Sequence, residues 1–248
     1  MVSVDDDAFY FSPAEGFARL ADTYDLRLSG NPVLLLETTQ TLAALPNVAG
    51  KAVADVGCGT GRYAIQLMRL GAEKVAGVDL SPAMLEMAQR KSHKAELPIE
   101  WGVGDLTKHL PIPDATLDAA VCALTLTFVE ALNTAFAELA RVLKPGGVLV
   151  VSELHPLGLT LERAASSAVF RKDRAPYLRF TDLQGQECRI ARIPHTLADY
   201  VNAAYAAGLT LTFVAEPLVD TRLAVTFGHL KEKIGLPLAL ILRFQKCM

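Results

Sequence analysis

Three glycines at alternate positions, Gly57, Gly59 and Gly61, follow a short apolar run that ends at Val56. Glycine adopts positive φ without strain and has no side chain, so a ligand can approach the bare backbone at such a turn. In α/β folds a turn of this kind lies at the carboxyl edge of the sheet, where ligands bind. The spacing therefore predicts a ligand-binding turn between a strand and a helix. A tight turn with nothing bound is the alternative.

The spacing of these glycines differs from that of two common phosphate-binding loops. A dinucleotide fingerprint reads G-x-G-x-x-G, whereas this chain has its third glycine one position early and Arg62 where that glycine would stand. A P-loop is excluded because no Gly-Lys-Ser/Thr follows the turn. An NAD(P)-dependent oxidoreductase is therefore kept as an alternative function and is not the preferred one.

Asp79 ends the second predicted strand and has the residue type that a ribose site needs. A carboxylate at that edge can accept hydrogen bonds from both hydroxyls of a ribose, a contact strengthened by its charge. The alternative is an acidic residue placed by the helix dipole just before the helix that begins at Pro82. Its combination with the glycine turn favours a nucleoside ligand.

The elements that position these residues alternate from Lys51 to Glu153 between short apolar runs and helical patterns, which is typical of a parallel sheet covered on both faces. The predicted strands are Ala52–Val56, Lys74–Val78, Ile99–Val103, Leu117–Ala123 and Val148–Glu153, and the predicted helices are Arg62–Leu70, Pro82–Ser92 and Phe128–Leu143. The apolar stripe of the third helix, which starts at Phe128, is predicted to face the sheet. Thr196 is predicted to cap a later helix, followed by two closing strands, Leu209–Ala215 and Ala239–Phe244.

Four segments, in this order along the chain, resemble the successive motifs of class I S-adenosylmethionine-dependent methyltransferases. They are Asp55-Val-Gly-Cys-Gly-Thr-Gly61, Val78-Asp-Leu-Ser-Pro-Ala-Met84, Gly104-Asp-Leu106 and Arg141-Val-Leu-Lys-Pro-Gly-Gly-Val148. The resemblance implies an α/β fold, a Rossmann-like, doubly wound and mostly parallel sheet of seven strands with an antiparallel last strand. Ala239–Phe244 fits the last strand.

The resemblance also implies a set of cofactor-binding residues. The three glycines would cradle the methionine end of S-adenosylmethionine, Asp79 would hold the ribose, and Asp105 would accept from the adenine amino group, although an Asp here is also a common turn former. Leu80 and Leu106 would sandwich the adenine ring. The predicted set is Tyr24, Asp55, Gly57, Cys58, Gly59, Gly61, Asp79, Leu80, Met84, Gly104, Asp105, Leu106 and Ala123.

We predict a single domain in four parts. Residues 1–48 form a helical N-terminal lid, 49–155 the cofactor-binding core, 156–195 a substrate-covering insertion after the fifth strand, and 196–248 a C-terminal helix and strands. The lid is rich in aromatic residues, and a helix that merely packs on the domain is its alternative. The insertion has more basic than acidic residues, with Phe170, Tyr177 and Phe180, so it suits an aromatic or anionic acceptor, or it is a solvated basic surface.

Two residues are candidates for a catalytic role. His155 follows the fifth predicted strand, and an imidazole there can take a proton from an acceptor; orienting the substrate or capping the backbone are the alternatives. Tyr24 resembles the family's N-terminal tyrosine, which reaches the cofactor. His195 is a weaker candidate for the base, and Asp118 is interpreted as a polar strand end.

The composition limits the classes of partner. The 248 residues are 51% hydrophobic and 21% charged with a net charge of −3, which excludes disorder and gives no general basic field for nucleic acid. The four cysteines form no C-x-x-C pair, so neither a metal site nor a disulfide framework is predicted. The acidic start and the short apolar run at Leu236–Leu242 predict a cytoplasmic protein without a signal peptide or membrane span.

These observations lead to one predicted reaction, the in-line transfer of a methyl group from S-adenosylmethionine to a small-molecule acceptor, with S-adenosylhomocysteine as product. Such transfer needs mainly alignment and desolvation, so few catalytic side chains are expected. Two further alternatives are a catalytically silent partner subunit that keeps the cofactor site and a tRNA or protein methyltransferase. The latter would need a basic face.

Overall fold

A computed structural model of the chain describes residues 9–156 and 177–248. Its strands are β1 (Phe9–Phe11), β2 (Ala52–Val56), β3 (Lys74–Asp79), β4 (Glu100–Val103), β5 (Leu117–Ala123), β6 (Leu143–Leu154), β7 (Tyr177–Thr181), β8 (Glu187–Ala191), β9 (Leu209–Ala215) and β10 (Ala239–Lys246). The main sheet has seven strands in the order β4-β3-β2-β5-β6-β10-β9. Strand β10 pairs antiparallel with both of its neighbours, and the other pairs are parallel. The predicted α/β, Rossmann-like sheet with an antiparallel last strand is confirmed.

The helices lie between these strands. They are α1 (Pro13–Leu28), α2 (Pro32–Ala44), α3 (Arg62–Arg69), α4 (Pro82–Lys94), α5 (Leu132–Val142), α6 (Leu197–Ala206) and α7 (Thr221–Thr226), with 3₁₀ turns at Leu126–Phe128 and Gly228–Lys233. All of these α-helices except α3 and α5 begin after a residue whose side chain caps the helix. Thr196 and Asp199 form the predicted capping box of α6, each accepting from the backbone of the other. No helix in the described part of the chain has the length and apolarity needed to cross a bilayer.

Alternate residues of each central strand bury opposite faces of the sheet. Ala54 of β2 belongs to the apolar cluster that contains Phe136 of α5, whereas its neighbour Val53 belongs to the cluster that contains Leu67 of α3. This alternation follows from the period of two along a strand. Covered on both faces, the sheet leaves its carboxyl edge for the loops that carry the candidate site residues.

A second, smaller sheet lies beside α1 and was not predicted. Strand β1 pairs parallel with β8, and β8 pairs antiparallel with β7. The helical N-terminal lid predicted over residues 1–48 therefore needs a correction, because its first described element is a strand. Gly16 of α1 allows the close contact with this sheet, since a Cβ there would stand 2.4 Å from Ile190 Cγ1. The hairpin β7–β8 is the described part of the predicted insertion.

The third predicted helix, Phe128–Leu143, is shorter in the structure. Phe128 belongs to a separate 3₁₀ turn, and α5 begins only at Leu132. The turn is held by Glu153 Oε1, which accepts from the Thr127 N–H at 3.2 Å. The ring of Phe128 consequently does not face the sheet as predicted, but lies at 5.1 Å from the ring of Phe17 on α1. This correction moves an aromatic side chain to the mouth of the candidate site.

Candidate functional site

A cleft of about 310 Å³ opens at the carboxyl ends of β2, β3 and β5. Strand β2 has β3 on one side and β5 on the other, so the chain order reverses there, and α/β folds bind ligands at such a switch point. Every predicted cofactor-binding residue except Gly61 lines the cleft. The predicted residues that line it are Tyr24, Asp55, Gly57, Cys58, Gly59, Asp79, Leu80, Met84, Gly104, Asp105, Leu106 and Ala123.

The three glycines of the turn have different surroundings. A Cβ on Gly57 would stand 2.2 Å from Thr125 Oγ1, and one on Gly61 would stand 2.6 Å from Trp101 Cη2. At Gly59, whose φ is +53°, the nearest atom to a Cβ is Tyr24 Cε1 at 3.8 Å. Gly57 and Gly61 are thus required by protein packing, whereas Gly59 presents bare backbone to free space. Gly61 does not line the cleft, which departs from the expectation that all three glycines cradle a ligand, and ligand contact by Gly57 and Gly59 stays a prediction.

Asp79 holds the glycine turn in place. Its Oδ2 accepts from the Gly59 N–H at 2.7 Å and its Oδ1 from the Ser81 N–H at 2.8 Å. Each carboxylate oxygen keeps a further lone pair for a ligand hydroxyl. Burial raises the pKa of the Asp79 carboxyl, and these backbone hydrogen bonds counteract that effect. The side chain is therefore fixed at the edge of the cleft where the sequence predicts a ribose contact.

Asp55 and Cys58 are buried groups on either side of the start of the turn. Asp55 Oδ2 accepts from the Ala64 N–H in the first turn of α3 at 2.9 Å, and desolvation raises the pKa of this carboxyl to about 7. Burial likewise raises the pKa of the Cys58 thiol. Cys58 is thus a poor nucleophile, and Asp55 anchors α3 beneath the cleft.

Asp105 lies at the other end of the cleft and forms a local turn. Its Oδ1 accepts from the N–H and the hydroxyl of Thr107 at 2.9 and 2.6 Å, and Lys108 Nζ lies 3.1 Å from Oδ2. Burial opposes ionisation here, but the Thr107 and Lys108 contacts lower the pKa of Asp105 overall. The turn-forming alternative is therefore present in the structure. Because the carboxylate also lines the cleft, its adenine contact stays a prediction.

Helix α1 supplies an aromatic wall of the cleft. The ring of Phe17 contacts those of Tyr24 and Phe128 edge to face, with centroids 6.2 and 5.1 Å apart. Desolvation raises the pKa of the Tyr24 phenol, with Asp79 among the further contributors. Helix α1 thus both packs on the domain and lines the cleft, and its role as a lid stays a prediction.

The structure does not bring the two histidine candidates to the cleft. His155 Nε2 lies 2.9 Å from Glu216 Oε1, and its backbone N–H donates to Leu238 O beside β10. His195 Nε2 lies 2.8 Å from the Val129 carbonyl. Neither imidazole is among the described residues that line the cleft, so the expectation that His155 acts as a base is not supported. Phe170 and the basic residues between 157 and 176 lie outside the described part.

Several cleft residues were not predicted from the sequence, above all Arg62 and Tyr63 in the first turn of α3. Both donate to Glu37 of α2, from Arg62 Nη1 at 2.9 Å and from the Tyr63 hydroxyl at 2.6 Å. Arg62 could have been identified from the sequence, because it directly follows the glycine turn. Glu37 is fully buried and also accepts from Thr41 and Ser152, and nothing in the sequence pattern marked it.

Glu153, behind the Thr125–Phe128 wall of the cleft, carries a buried carboxyl. It is 2% exposed, and within the described residues its Oε2 has no hydrogen-bond partner. Burial raises the pKa of Glu153 to about 8 despite stabilising backbone N–H groups. The folded state therefore binds this proton more tightly than the unfolded state. The associated stability is complete below the unfolded pKa and is lost as the pH rises towards about 8.

We expect Glu153→Gln, which keeps the shape without the charge, to raise the free energy of unfolding relative to wild type at high pH. The gain should be on the order of 2 kcal/mol at about pH 9 and should vanish or reverse at about pH 5, where wild-type Glu153 is protonated. Urea denaturation at the two pH values measures it. The exposed Glu232→Gln is the control, and an equal effect of Glu153→Gln at both pH values contradicts the prediction.

Comparison with known proteins agrees with this site. Residues 54–151 match the family described as a methyltransferase domain. Over 152 residues the chain is 36% identical to a demethylmenaquinone methyltransferase of Deinococcus radiodurans, an alignment of 57% of this chain and 60% of that protein. Over 155 residues it is 31% identical to a malonyl-[acyl-carrier protein] O-methyltransferase of Serratia marcescens, covering 62% and 57%. The chain thus spans less than two thirds of the length of these relatives.

Solved structures show the same fold. An S-adenosylmethionine-dependent methyltransferase from Mesorhizobium loti aligns with a TM-score of 0.67 and 24% identity, covering 88% of this chain and 100% of that one. Magnesium protoporphyrin IX methyltransferase from Synechocystis, with bound S-adenosylhomocysteine, aligns with a TM-score of 0.65 and 20% identity, covering 94% and 97%. Residues 54–151 of this chain therefore match the methyltransferase domain family, and the chain shares the Rossmann-like fold of these solved structures.

Proposed function

We propose that this chain transfers a methyl group from S-adenosylmethionine to a small organic acceptor and releases S-adenosylhomocysteine. The observation that carries the proposal is the open backbone of Gly59 beside the fixed carboxylate of Asp79, at the switch point of the sheet. A nucleoside with an amino acid chain needs both of these features, one for close approach and one for the sugar hydroxyls.

The charges of the cleft fit this cofactor. Asp55, Asp79 and Asp105 line it, and Arg62 is the one basic side chain among the described residues that do. The cofactor carries a sulfonium, an ammonium and a carboxylate, so Arg62 would hold the carboxylate and the acidic groups would face the positive end and the sugar. Leu80 and Leu106 both line the cleft on the Asp105 side and would enclose the adenine ring.

The chain's contribution to the reaction is orientation and the exclusion of water. When bound, the cofactor supplies a methyl group that is already electrophilic. The glycine turn and Asp79 fix where that group would lie, and the rings of Phe17 and Phe128 cover the cleft from the lid side. Holding two reactants in line can lower a barrier by roughly 7–11 kcal/mol, which leaves little for a catalytic base to add.

The acceptor is proposed to be apolar and aromatic. The part of the cleft next to the lid is lined by Ala14, Phe17, Phe128 and Val129, which offer ring faces and aliphatic surface. Aromatic rings bind one another in the edge-to-face arrangement already present in this wall. The two relatives are named for different acceptors, so similarity alone does not choose between them.

Calorimetric titration with S-adenosylhomocysteine and with NADH tests the assignment. Binding of S-adenosylhomocysteine alone, followed by transfer of labelled methyl to a panel of aromatic acceptors, supports the proposal. Tight binding of NADH alone would favour an NAD(P)-dependent oxidoreductase. Tight S-adenosylhomocysteine binding without transfer to any acceptor would favour a silent partner subunit, and a strong salt dependence of RNA binding would favour a tRNA methyltransferase.

We expect Phe128→Ala to raise KM for the acceptor by about 10-fold, because it removes apolar surface from the acceptor side of the cleft. The dissociation constant of S-adenosylhomocysteine should stay within about 2-fold of wild type. Steady-state kinetics and calorimetry provide the two values. Phe213→Ala, on the half-exposed strand β9, is the matched control. Equal losses of acceptor and cofactor affinity would remove Phe128 from the acceptor subsite.

A further inference from the structure

Helix α1 lies across the place that a ligand on Gly59 would occupy. Tyr24 Cε1 is the atom nearest to the position of a Cβ on Gly59, at 3.8 Å, and Phe17 and Ala14 of the same helix line the cleft. A shift of α1 away from the glycine turn would widen the cleft for a nucleoside-sized ligand. The contacts that hold α1 down are therefore expected to influence the rate of ligand exchange.

On its outer side α1 is joined to the small sheet. Arg19 Nη1 lies 3.0 Å from Asp182 Oδ2, and Arg27 donates to the Thr181 carbonyl. Leu20 packs in one apolar cluster with Ile190 of β8. Because an ion pair, a hydrogen bond and apolar packing connect them, α1 and the small sheet are expected to shift together as one unit.

On its inner side α1 meets α4 and the glycine turn through apolar contacts and one carboxylate. Asp25 Oδ1 accepts from the Thr60 hydroxyl at 2.6 Å, and Lys91 Nζ lies 2.8 Å from Asp25 Oδ2. Thr60 lies within the glycine turn, between Gly59 and Gly61. In the described part of the chain, these are the side-chain hydrogen bonds that tie α1 to the main-sheet unit.

We propose that Asp25 is a positioning residue that latches α1, and with it Tyr24, over the glycine turn. The inference rests on the proposed function, because it treats the adenosyl ligand as the molecule that passes beneath the latch. Side chains of Lys91 and Asp25 are 34% and 45% exposed, and ion pairs at such exposure are weak and screened by salt. The Thr60 hydrogen bond is charge-assisted and directional. A latch of this kind holds the lid in register and still opens readily.

The test is the rate of S-adenosylhomocysteine binding and release in the full chain, followed by stopped-flow fluorescence of Trp101. This residue is the chain's single tryptophan and packs against Gly61 of the turn. An easier opening speeds entry and exit alike. Asp25→Ala is therefore expected to raise both rate constants by about 10-fold and to leave the dissociation constant within about 2-fold of wild type.

Two comparisons separate a latch from a general structural role. Lys91→Met removes one of the two contacts and should raise both rates by about 3-fold, whereas Arg90→Met, an exposed cation next to it on α4, should change neither. Salt should accelerate exchange in wild type but not in Asp25→Ala, because only wild type retains the ion pair. Both the Lys91 variant and the salt series report on the latch even if Asp25→Ala folds poorly.

Several outcomes would overturn the inference. Unchanged rates of binding and release in Asp25→Ala would do so. An increase in the dissociation constant caused by faster release alone would also do so, because the carboxylate would then act on the bound ligand. If wild-type protein does not bind S-adenosylhomocysteine at all, the proposed function fails together with the latch. If it binds and the variants exchange at the wild-type rate, only the latch fails.

Discussion

Replacement of Gly59 by valine is expected to abolish detectable binding of S-adenosylhomocysteine. The substituent would fill the space between the turn and Tyr24, where the nearest atom to a Cβ is now 3.8 Å away. Displacing a ligand from a well-packed contact costs roughly 1–3 kcal/mol or more, and misplacing the Gly59 N–H weakens its bond to Asp79 as well. We expect a loss of about 100-fold or more in affinity, measured by calorimetry.

Gly50→Val is the matched control for this substitution. Gly50 has a φ of +69°, and nothing lies within 4 Å of a Cβ there, so the variant has the same backbone strain in open space. A non-glycine residue in the left-handed region costs roughly 1–2 kcal/mol at either position. Loss of ligand binding in Gly50→Val, or its retention in Gly59→Val, would show that the turn's backbone is not the contact surface.

Replacement of Asp79 by alanine is expected to weaken S-adenosylhomocysteine binding by about 1.5–3 kcal/mol, roughly 10- to 150-fold. Two effects add: the ligand loses a charged acceptor, and the Gly59 and Ser81 N–H groups lose theirs. Because burial raises the pKa of Asp79, the affinity of wild type should also fall as the pH is lowered through that raised pKa. Alanine at this position should remove this pH dependence.

A comparison of ligands separates the two effects. Wild type should prefer S-adenosylhomocysteine over its 2′-deoxy analogue, and Asp79→Ala should lose that preference if the carboxylate binds the sugar. Asp118→Ala is the control, since Asp118 also accepts a backbone hydrogen bond, from the Ala52 N–H at 2.9 Å, and pairs with Lys144. It stands near the start of β5, away from the cleft. A preserved preference for the 2′-hydroxyl in Asp79→Ala would assign Asp79 to the turn alone.

Local signals in the sequence predicted most of the strands, turns and side chains that position the site. Strands β2 and β5 have the predicted bounds because a fully buried strand reads as an apolar run, and the turn at Gly57–Gly61 could be identified by residue type alone. Asp79 was found for the same reason, as a carboxylate at a strand end. These features depend on residues that are close together in the chain.

Features that depend on distant residues were missed or wrong. Phe128 was assigned to a helix because its spacing to Leu132 is helical, but Glu153, on another strand, holds it in a separate turn. Pairing of β1 with β8 joins segments that are far apart in the chain, such as Phe9 and Cys188, and no local pattern specifies it. Gly61 was assigned to ligand contact from its motif, since the sequence does not show that folding brings Trp101 against it.

The carboxylate of Glu37 has a consequence that reaches beyond the cleft. It joins α2, α3 and the end of β6, because Arg62, Tyr63 and Ser152 all donate to it. Any local unfolding that withdraws α2 would remove Glu37 and free the first turn of α3 at the same moment. The largely buried guanidinium of Arg62 would then lack its counter-ion. No residue of α2 lines the cleft, yet the thermodynamic stability of α2 thereby sets how often the cleft is intact.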